Sequence, residues 1–242
     1  MASGNKIRRV SLTLHNWMGL LVGLQIIFWF VSGLVMTVIP LDLVRGEVNM
    51  SDRQSASMPA GDLSAILAKI EVENLSDVSL HMLAGRKVLH VSRAVGSDQI
   101  FDSETGALVS PIGAAIAKEV ALSDFTYRTE GAIDGDISVL SSALLTEEPG
   151  DFRRALPVWQ ILLNDPDGTR IYVSPDTGQV LARRNDYWRV FDFFWMLHIM
   201  DYEDREDFNN PLLIVTTLTS TLFVFTGIVL LYFRFWPRRK KT

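Results

Sequence analysis

Only four histidines occur in this 242-residue chain, and two of them stand where an imidazole has chemical consequences. His15 lies in the run Leu14-His-Asn-Trp-Met-Gly-Leu-Leu-Val-Gly-Leu-Gln25, with Gly19 and Gly23 following at steps of four. On a helix that spacing puts the ring and both glycines on one face. Three readings of this face are open. It can be an interfacial histidine beside a Gly-x-x-x-Gly helix-packing surface. It can be a polar side chain that hydrogen-bonds within a larger complex. It can also be an axial haem ligand, with the glycines leaving room for a flat macrocycle. The second imidazole, His198, ends the aromatic stretch Tyr187–Met200 beside Phe191, Phe194 and Trp195, with Asp201 and Arg205 close in sequence. An imidazole in such apolar company is costly unless partnered, which makes it a candidate functional residue.

The elements that must position these rings are membrane segments. No Asp, Glu, Lys or Arg lies between Val10 and Leu41, and residues 14–39 read as a spanning helix. About 20 residues at roughly 1.5 Å each cross a hydrocarbon core of about 30 Å. The basic lead Lys6, Arg8, Arg9 resembles a signal peptide. The apolar run is too long for one, however, and no small-x-small cleavage site precedes Pro40, so an uncleaved anchor is expected. Residues 211–233 form a second uncharged span. Between the spans, 187–200 is too short to cross and aromatic enough to lie in the interface, and a polar loop extends it to 210.

Charge orients the chain. Residues 1–39 carry three bases and no acids, and residues 212–242 carry five bases and no acids. All 28 acidic residues therefore fall in 40–211, with 15 of the 23 bases. Under the positive-inside rule the termini, 1–13 and 234–242, are expected in the cytoplasm and 40–186 across the membrane, in the periplasm of a bacterium. An acidic domain argues against nucleic acid or anionic lipid headgroups as partners of that domain, while membrane lipid is the expected partner of the spans. The absence of cysteine excludes disulfides, thiolate catalysis, Cys-ligated iron–sulfur clusters and covalently attached haem. Neither a nucleophile–base constellation, a phosphate loop nor a dinucleotide fingerprint is present, so no catalytic side chain is assigned.

The middle reads as α+β. Residues 41–60 look like a loop leaving the membrane. A helix is predicted from Asp62 as N-cap, with Leu63, Ile66, Leu67 and Ile70 on one face. Strands follow at Ser76–Leu83 and Lys87–Arg93 around a tight Ala84-Gly85-Arg86 turn. The segment Gln99–Leu108 then repeats as Ile171–Val180, 72 residues later, each copy a strand, a turn closed by Thr-Gly and a further strand. Residues 112–122 suggest a helix, and the Gly/Asp/Ser-rich 129–150 suggests an insertion or lid. His81 and His90 read as ordinary strand histidines, and Asp102, Glu104 and Asp176 as solvated turn residues.

Together these features resemble the PepSY-associated transmembrane family. The resemblance rests on Leu14-His15-x-Trp17-x-Gly19-Leu20-x-x-Gly23, the paired Thr-Gly units, Leu197-His198 and Thr226-Gly227-Ile228. It implies a membrane-anchored α+β protein: two transmembrane helices and an interfacial helix flanking a periplasmic domain of tandem PepSY-like units. It further implies haem b, with His15 and His198 as ligands to the haem iron and Gly19, Gly23 and Trp195 around them, and oxidoreductase or electron-transfer activity of the ferric-reductase kind. With two spans, the histidines fall at opposite membrane faces, so a two-histidine site requires a homodimer or a partner subunit, and a redox partner besides. A peptide- or protein-binding regulatory module, or an accessory subunit of a larger membrane complex, are the alternatives from other classes.

Overall fold

A computed structural model describes residues 2–51, 57, 64, 66–68, 74–127 and 137–235. Its helices are α1 (Ala2–Val38), α2 (Leu41–Val44), α3 (Ala114–Asp124), α4 (Asp186–Ile199) and α5 (Pro211–Phe235). Its strands are β1 (Leu75–Leu83), β2 (Arg86–Arg93), β3 (Gln99–Asp102), β4 (Val139–Leu145), β5 (Val158–Leu163), β6 (Arg170–Val173) and β7 (Val180–Arg184). The chain divides into two compact units, Leu41–Arg189 and the two flanking segments Met1–Pro40 and Val190–Thr242.

In the flanking unit, α1 and α5 are both long and apolar enough to cross a membrane. The expected boundary at Leu14 is absent, because α1 runs unbroken from Ala2 and the charged lead is its first three turns. No proline interrupts it until Pro40, whose ring disfavours helix at the preceding residue. Along α1, Met18, Val22 and Ser32 are buried, while Leu20 and Phe30 are about three-quarters exposed. In a bilayer those side chains meet lipid and cost nothing. Asn210 caps α5, its Oδ1 accepting the Leu213 N–H at 2.8 Å, with Pro211 in the first helical position.

Helix α4 ends in the same unit, with Met200 in the left-handed region at φ +55°. The last carbonyls of a helix have no intrahelical donor. Here three receive side-chain donors: Leu197 O from Gln25 Nε2 at 3.2 Å, His198 O from Trp29 Nε1 at 2.8 Å, and Ile199 O from Asn210 Nδ2 at 3.0 Å. Two polar side chains of α1 thus fasten the end of α4 to the middle of the span.

The other unit holds two antiparallel sheets, ordered β1-β2-β3 and β4-β5-β6-β7. Ala84 and Gly85, at φ +47° and +80°, form the tight β1–β2 turn. The 72-residue repeat is real at the level of hydrogen bonds. Asp102 N–H donates to Ala107 O and Gly106 N–H to Asp102 O; Ser174 to Gln179 and Gly178 to Ser174 repeat both bonds, each within 2.9 Å. Both turn glycines have positive φ, +75° and +65°. The copies part after the turn, where the second continues into β7 and the first makes a single bridge, Phe101 to Leu108. Pro111, lacking an N–H, follows closely and prevents a longer ladder.

One core joins these elements: Leu83, Val88 and Ile100 from the first sheet, Ile161, Leu163, Ile171 and Val173 from the second, and Ala117, Val120 and Ala121 from α3. Burying each larger side chain contributes about 1.5–3 kcal/mol. Two expectations are corrected. Part of the predicted insertion, Val139–Leu145, is strand β4, the edge of the second sheet, its alternation masked by Ser141 and Ser142; 128–136 lie outside the described residues. The predicted exit loop is partly built, since α2 turns directly after Pro40 and Met50 bridges to Phe125. Of the predicted helix near 62–70, Ser64, Ile66 and Leu67 are helical with Ile66 buried, and the rest lies outside the described residues.

Candidate functional site

Both candidate imidazoles belong to the membrane unit, and each is received by the opposite helix. His15, on α1, places Nδ1 3.0 Å from Thr226 Oγ1 and 3.3 Å from Phe223 O, both on α5. Its ring stacks on Phe223 at 4.2 Å and 10°. On the next residue, Gly227, a side chain would begin 3.3 Å from His15 Cε1. His198, at the end of α4, places Nδ1 2.9 Å from Ser32 Oγ on α1. On the residue after that, Gly33, a side chain would begin 3.9 Å from His198 Cε1.

The two stations therefore share one design: a hydroxyl residue holding Nδ1, followed by a glycine that admits the ring edge. Ser32-Gly33 serves His198, and Thr226-Gly227 serves His15. Both hydroxyls also bond to carbonyls of their own helix, Ser32 Oγ to Phe28 O at 2.6 Å and Thr226 Oγ1 to Phe223 O at 2.7 Å. The stations are well separated along α1, because His15 and Ser32 lie toward opposite ends of its apolar part. Ser32 is 17 residues from His15, about 25 Å along the helix. Among the described residues neither Nε2 makes a hydrogen bond.

Gly19 and Gly23 differ from one another. The space over Gly19 is taken by Phe223, whose Cε2 would lie 3.0 Å from an added Cβ, whereas nothing lies within 4 Å of Gly23. Gly19 thus admits the same ring that stacks on His15.

Asp201 and Arg205, expected beside His198, turn elsewhere. Arg205 pairs with Asp192, a buried carboxylate on α4. Asp201 accepts four backbone N–H bonds, from Glu203, Asp204, Glu206 and Asp207. Those donors, the Asp207 N–H foremost, hold its carboxyl below the ordinary range. Short-range satisfaction by the loop backbone wins over a longer reach to the ring. Trp195 braces the same loop, donating Nε1 to Arg205 O at 3.0 Å and meeting Phe208 edge-on at 5.3 Å; it packs loosely on Phe191 at 6.4 Å.

In the sheet unit, His81 and His90 meet edge-on at 5.6 Å, His81 bonded to Ser79 and His90 to Asp98. Asp102 closes its turn by accepting the N–H groups of Glu104 and Thr105 and the Thr105 hydroxyl. The Thr105 bonds are the main reason its carboxyl is lowered. A second buried network joins Tyr172 Oη to Asp151 at 2.6 Å, with Gln160 and Arg170 completing it. Burial first, then the Asp151 bond, pushes the phenol up to about 12.

Sequence reasoning overlooked Ser32, Gly33, Phe223, Gln25 and Trp29, and noted Thr226-Gly227 without a role. The available signal was the recurrence of a hydroxyl-glycine pair on each span. Compared with known proteins, residues 12–242 match the family model described as the PepSY-associated TM region. No curated protein and no solved structure matches the chain.

Proposed function

The chain belongs to the PepSY-associated TM family, and from that premise we propose that it is a haem-b-binding electron-transfer protein of a bacterial inner membrane. It carries electrons outward to ferric iron, a ferric siderophore or another periplasmic acceptor. The supporting observation is the pair of stations: two imidazoles of the membrane unit, each held through Nδ1, each with Nε2 making no bond among the described residues. That donor set fits haem iron, which takes a neutral imidazole through one nitrogen while the other is anchored. Haem, when bound, supplies reversible one-electron chemistry. The protein's own part is to hold the rings, exclude water and set their depth.

Each chain offers one imidazole toward each end of α1, so a second copy would supply the second imidazole at each site. A two-fold axis along the membrane normal sets His15 against its mate at one depth and His198 against its mate about 25 Å away. The basic segments 1–13 and 234–242, under the positive-inside rule, support a His15 station toward the cytoplasm and a His198 station toward the periplasm. A larger complex that supplies the second ligands serves equally. A second reading, a peptide-binding module, is favoured by one feature: edge strand β4 exposes Leu140 and Leu144 beside an open ladder.

The test is the optical spectrum of protein purified after expression with ample haem. The wild type is expected to show a Soret band with sharp reduced α and β bands. His15→Ala and His198→Ala are each expected to remove about half of that absorbance while the chain still inserts. A colourless wild type, or a double variant with its full spectrum, overturns the proposal and leaves the binding module.

A further inference from the structure

We infer that Ser32 and Thr226 are positioning residues that fix both imidazoles as the Nδ1–H tautomer, so that Nε2 is the bare nitrogen at each station; the inference deepens the haem reading and rests on it for its purpose. A hydroxyl has one hydrogen to donate. Ser32 commits its hydrogen to Phe28 O, 2.6 Å away, and Thr226 commits its own to Phe223 O, 2.7 Å away. Back-bonding of this kind is the usual choice for Ser and Thr inside an apolar helix. Each oxygen then meets the ring with lone pairs only, and the Nδ1 atoms at 2.9 and 3.0 Å must supply the proton.

At His15 a second acceptor agrees. Phe223 O lies 3.3 Å from Nδ1 and has no hydrogen to give, so a bare Nδ1 would set two lone pairs against each other. The opposite tautomer at either station would draw the hydroxyl hydrogen away from its helix carbonyl, which then keeps only its backbone donor, or create that repulsion, and in a low-dielectric setting both are unfavourable. A neutral imidazole with Nδ1 protonated carries its lone pair on Nε2, the atom that can take a metal or a proton. The hydroxyl-glycine step therefore does two things at once: the hydroxyl sets which nitrogen is bare, and the glycine lets the ring edge approach.

The two locks differ in depth. His198 has Ser32 Oγ alone on Nδ1, whereas His15 has both Thr226 Oγ1 and Phe223 O. Removing the Ser32 hydroxyl should therefore free the His198 tautomer, while removing the Thr226 hydroxyl leaves His15 with a carbonyl acceptor. The loss of one ordinary hydrogen bond corresponds to about a tenfold change in tautomer ratio.

The experiment is nitrogen NMR on the full chain, labelled with 15N-histidine and reconstituted without haem in lipid bilayers at neutral pH. His15→Gln and His198→Gln assign the two rings. In the wild type both are expected to show protonated Nδ1 and bare Nε2. Ser32→Ala should raise the Nε2–H fraction of His198 about tenfold with His15 unchanged, which also reports that the unit is folded. Thr226→Val should leave His15 largely Nδ1–H, and Thr226→Ser should match the wild type. A wild type with either ring mainly Nε2–H, or Ser32→Ala with an unchanged His198, overturns the inference. The sample contains no haem, so a chain that never binds haem contradicts the proposed function without moving these resonances.

Discussion

A methyl group added at Gly227 should disturb the His15 station, while the same change at Gly33 should leave the His198 station intact. At Gly227 the new Cβ would lie 3.3 Å from His15 Cε1 and 3.8 Å from Nδ1. That first contact is short of the carbon–carbon optimum of roughly 3.5–4.0 Å, so the ring must retreat by a few tenths of an ångström. It has little room, because Phe223 stacks on its face at 4.2 Å and Thr226 holds Nδ1 at 3.0 Å. Overpacking without an easy retreat costs about 1–3 kcal/mol. At Gly33 the Cβ would sit 3.9 Å from His198 Cε1, an ordinary contact, and at Gly23 it would meet nothing within 4 Å. In those two variants the gain in helix propensity, up to about 1 kcal/mol, goes uncontested. Reversible unfolding of the membrane unit in mixed detergent micelles, read by tryptophan fluorescence, should rank Gly227→Ala below the wild type and the other two at or above it. Equal stability of Gly227→Ala and Gly33→Ala would refute the placement of His15 against α5.

Two further predictions concern the sheet unit. Tyr172, raised to about 12, should be the last phenol of the folded protein to ionise; because its folded pKa exceeds the unfolded value near 10, the stability it contributes is complete below pH 10 and is lost as pH rises toward 12. Ultraviolet titration should show that late phenolate step, and Tyr172→Phe should abolish it at a cost of about 1–3 kcal/mol, since Asp151 loses its hydroxyl donor. Gly178→Ala should cost about 2–4 kcal/mol and Gly106→Ala at least about 1–2 kcal/mol: both turns need positive φ, and at Gly178 the new Cβ would also collide with the core residue Leu83. Thermal unfolding of the two variants compares them directly.

Much of this architecture was legible in the residues. Uncharged runs of bilayer length mark α1 and α5, because hydrocarbon tolerates little else there. The Thr-Gly turns were legible because a positive φ and a side-chain hydroxyl at fixed offsets leave a local signature, and the 72-residue spacing survives in the hydrogen bonds of both copies. Strand β4 was not, since an edge strand exposed along much of its length needs no continuous apolar face. The partner of His198 was not legible in its sequence neighbourhood, for a physical reason. Asp201 and Arg205 are its near neighbours in sequence, but a loop carboxylate surrounded by backbone donors is satisfied locally, and Arg205 finds Asp192. Ser32 and Thr226 left only a faint trace, a hydroxyl-glycine pair on each span. A lone hydroxyl in an apolar helix reads as back-bonded and inert; only the packing of α5 on α1 brings Thr226 to His15, and that of the α4 end on α1 brings Ser32 to His198.

The central claim, that the two stations hold haem between associated chains, is tested most directly by titrating haem into the purified apoprotein while its association state is followed by light scattering. The account predicts a low-spin spectrum with two imidazole ligands that saturates at one haem per chain, two per dimer. Half of it should be lost in His198→Ala, and all of it when detergent separates the chains. No Soret band at saturating haem, or an unchanged low-spin spectrum from isolated monomers, would contradict the account.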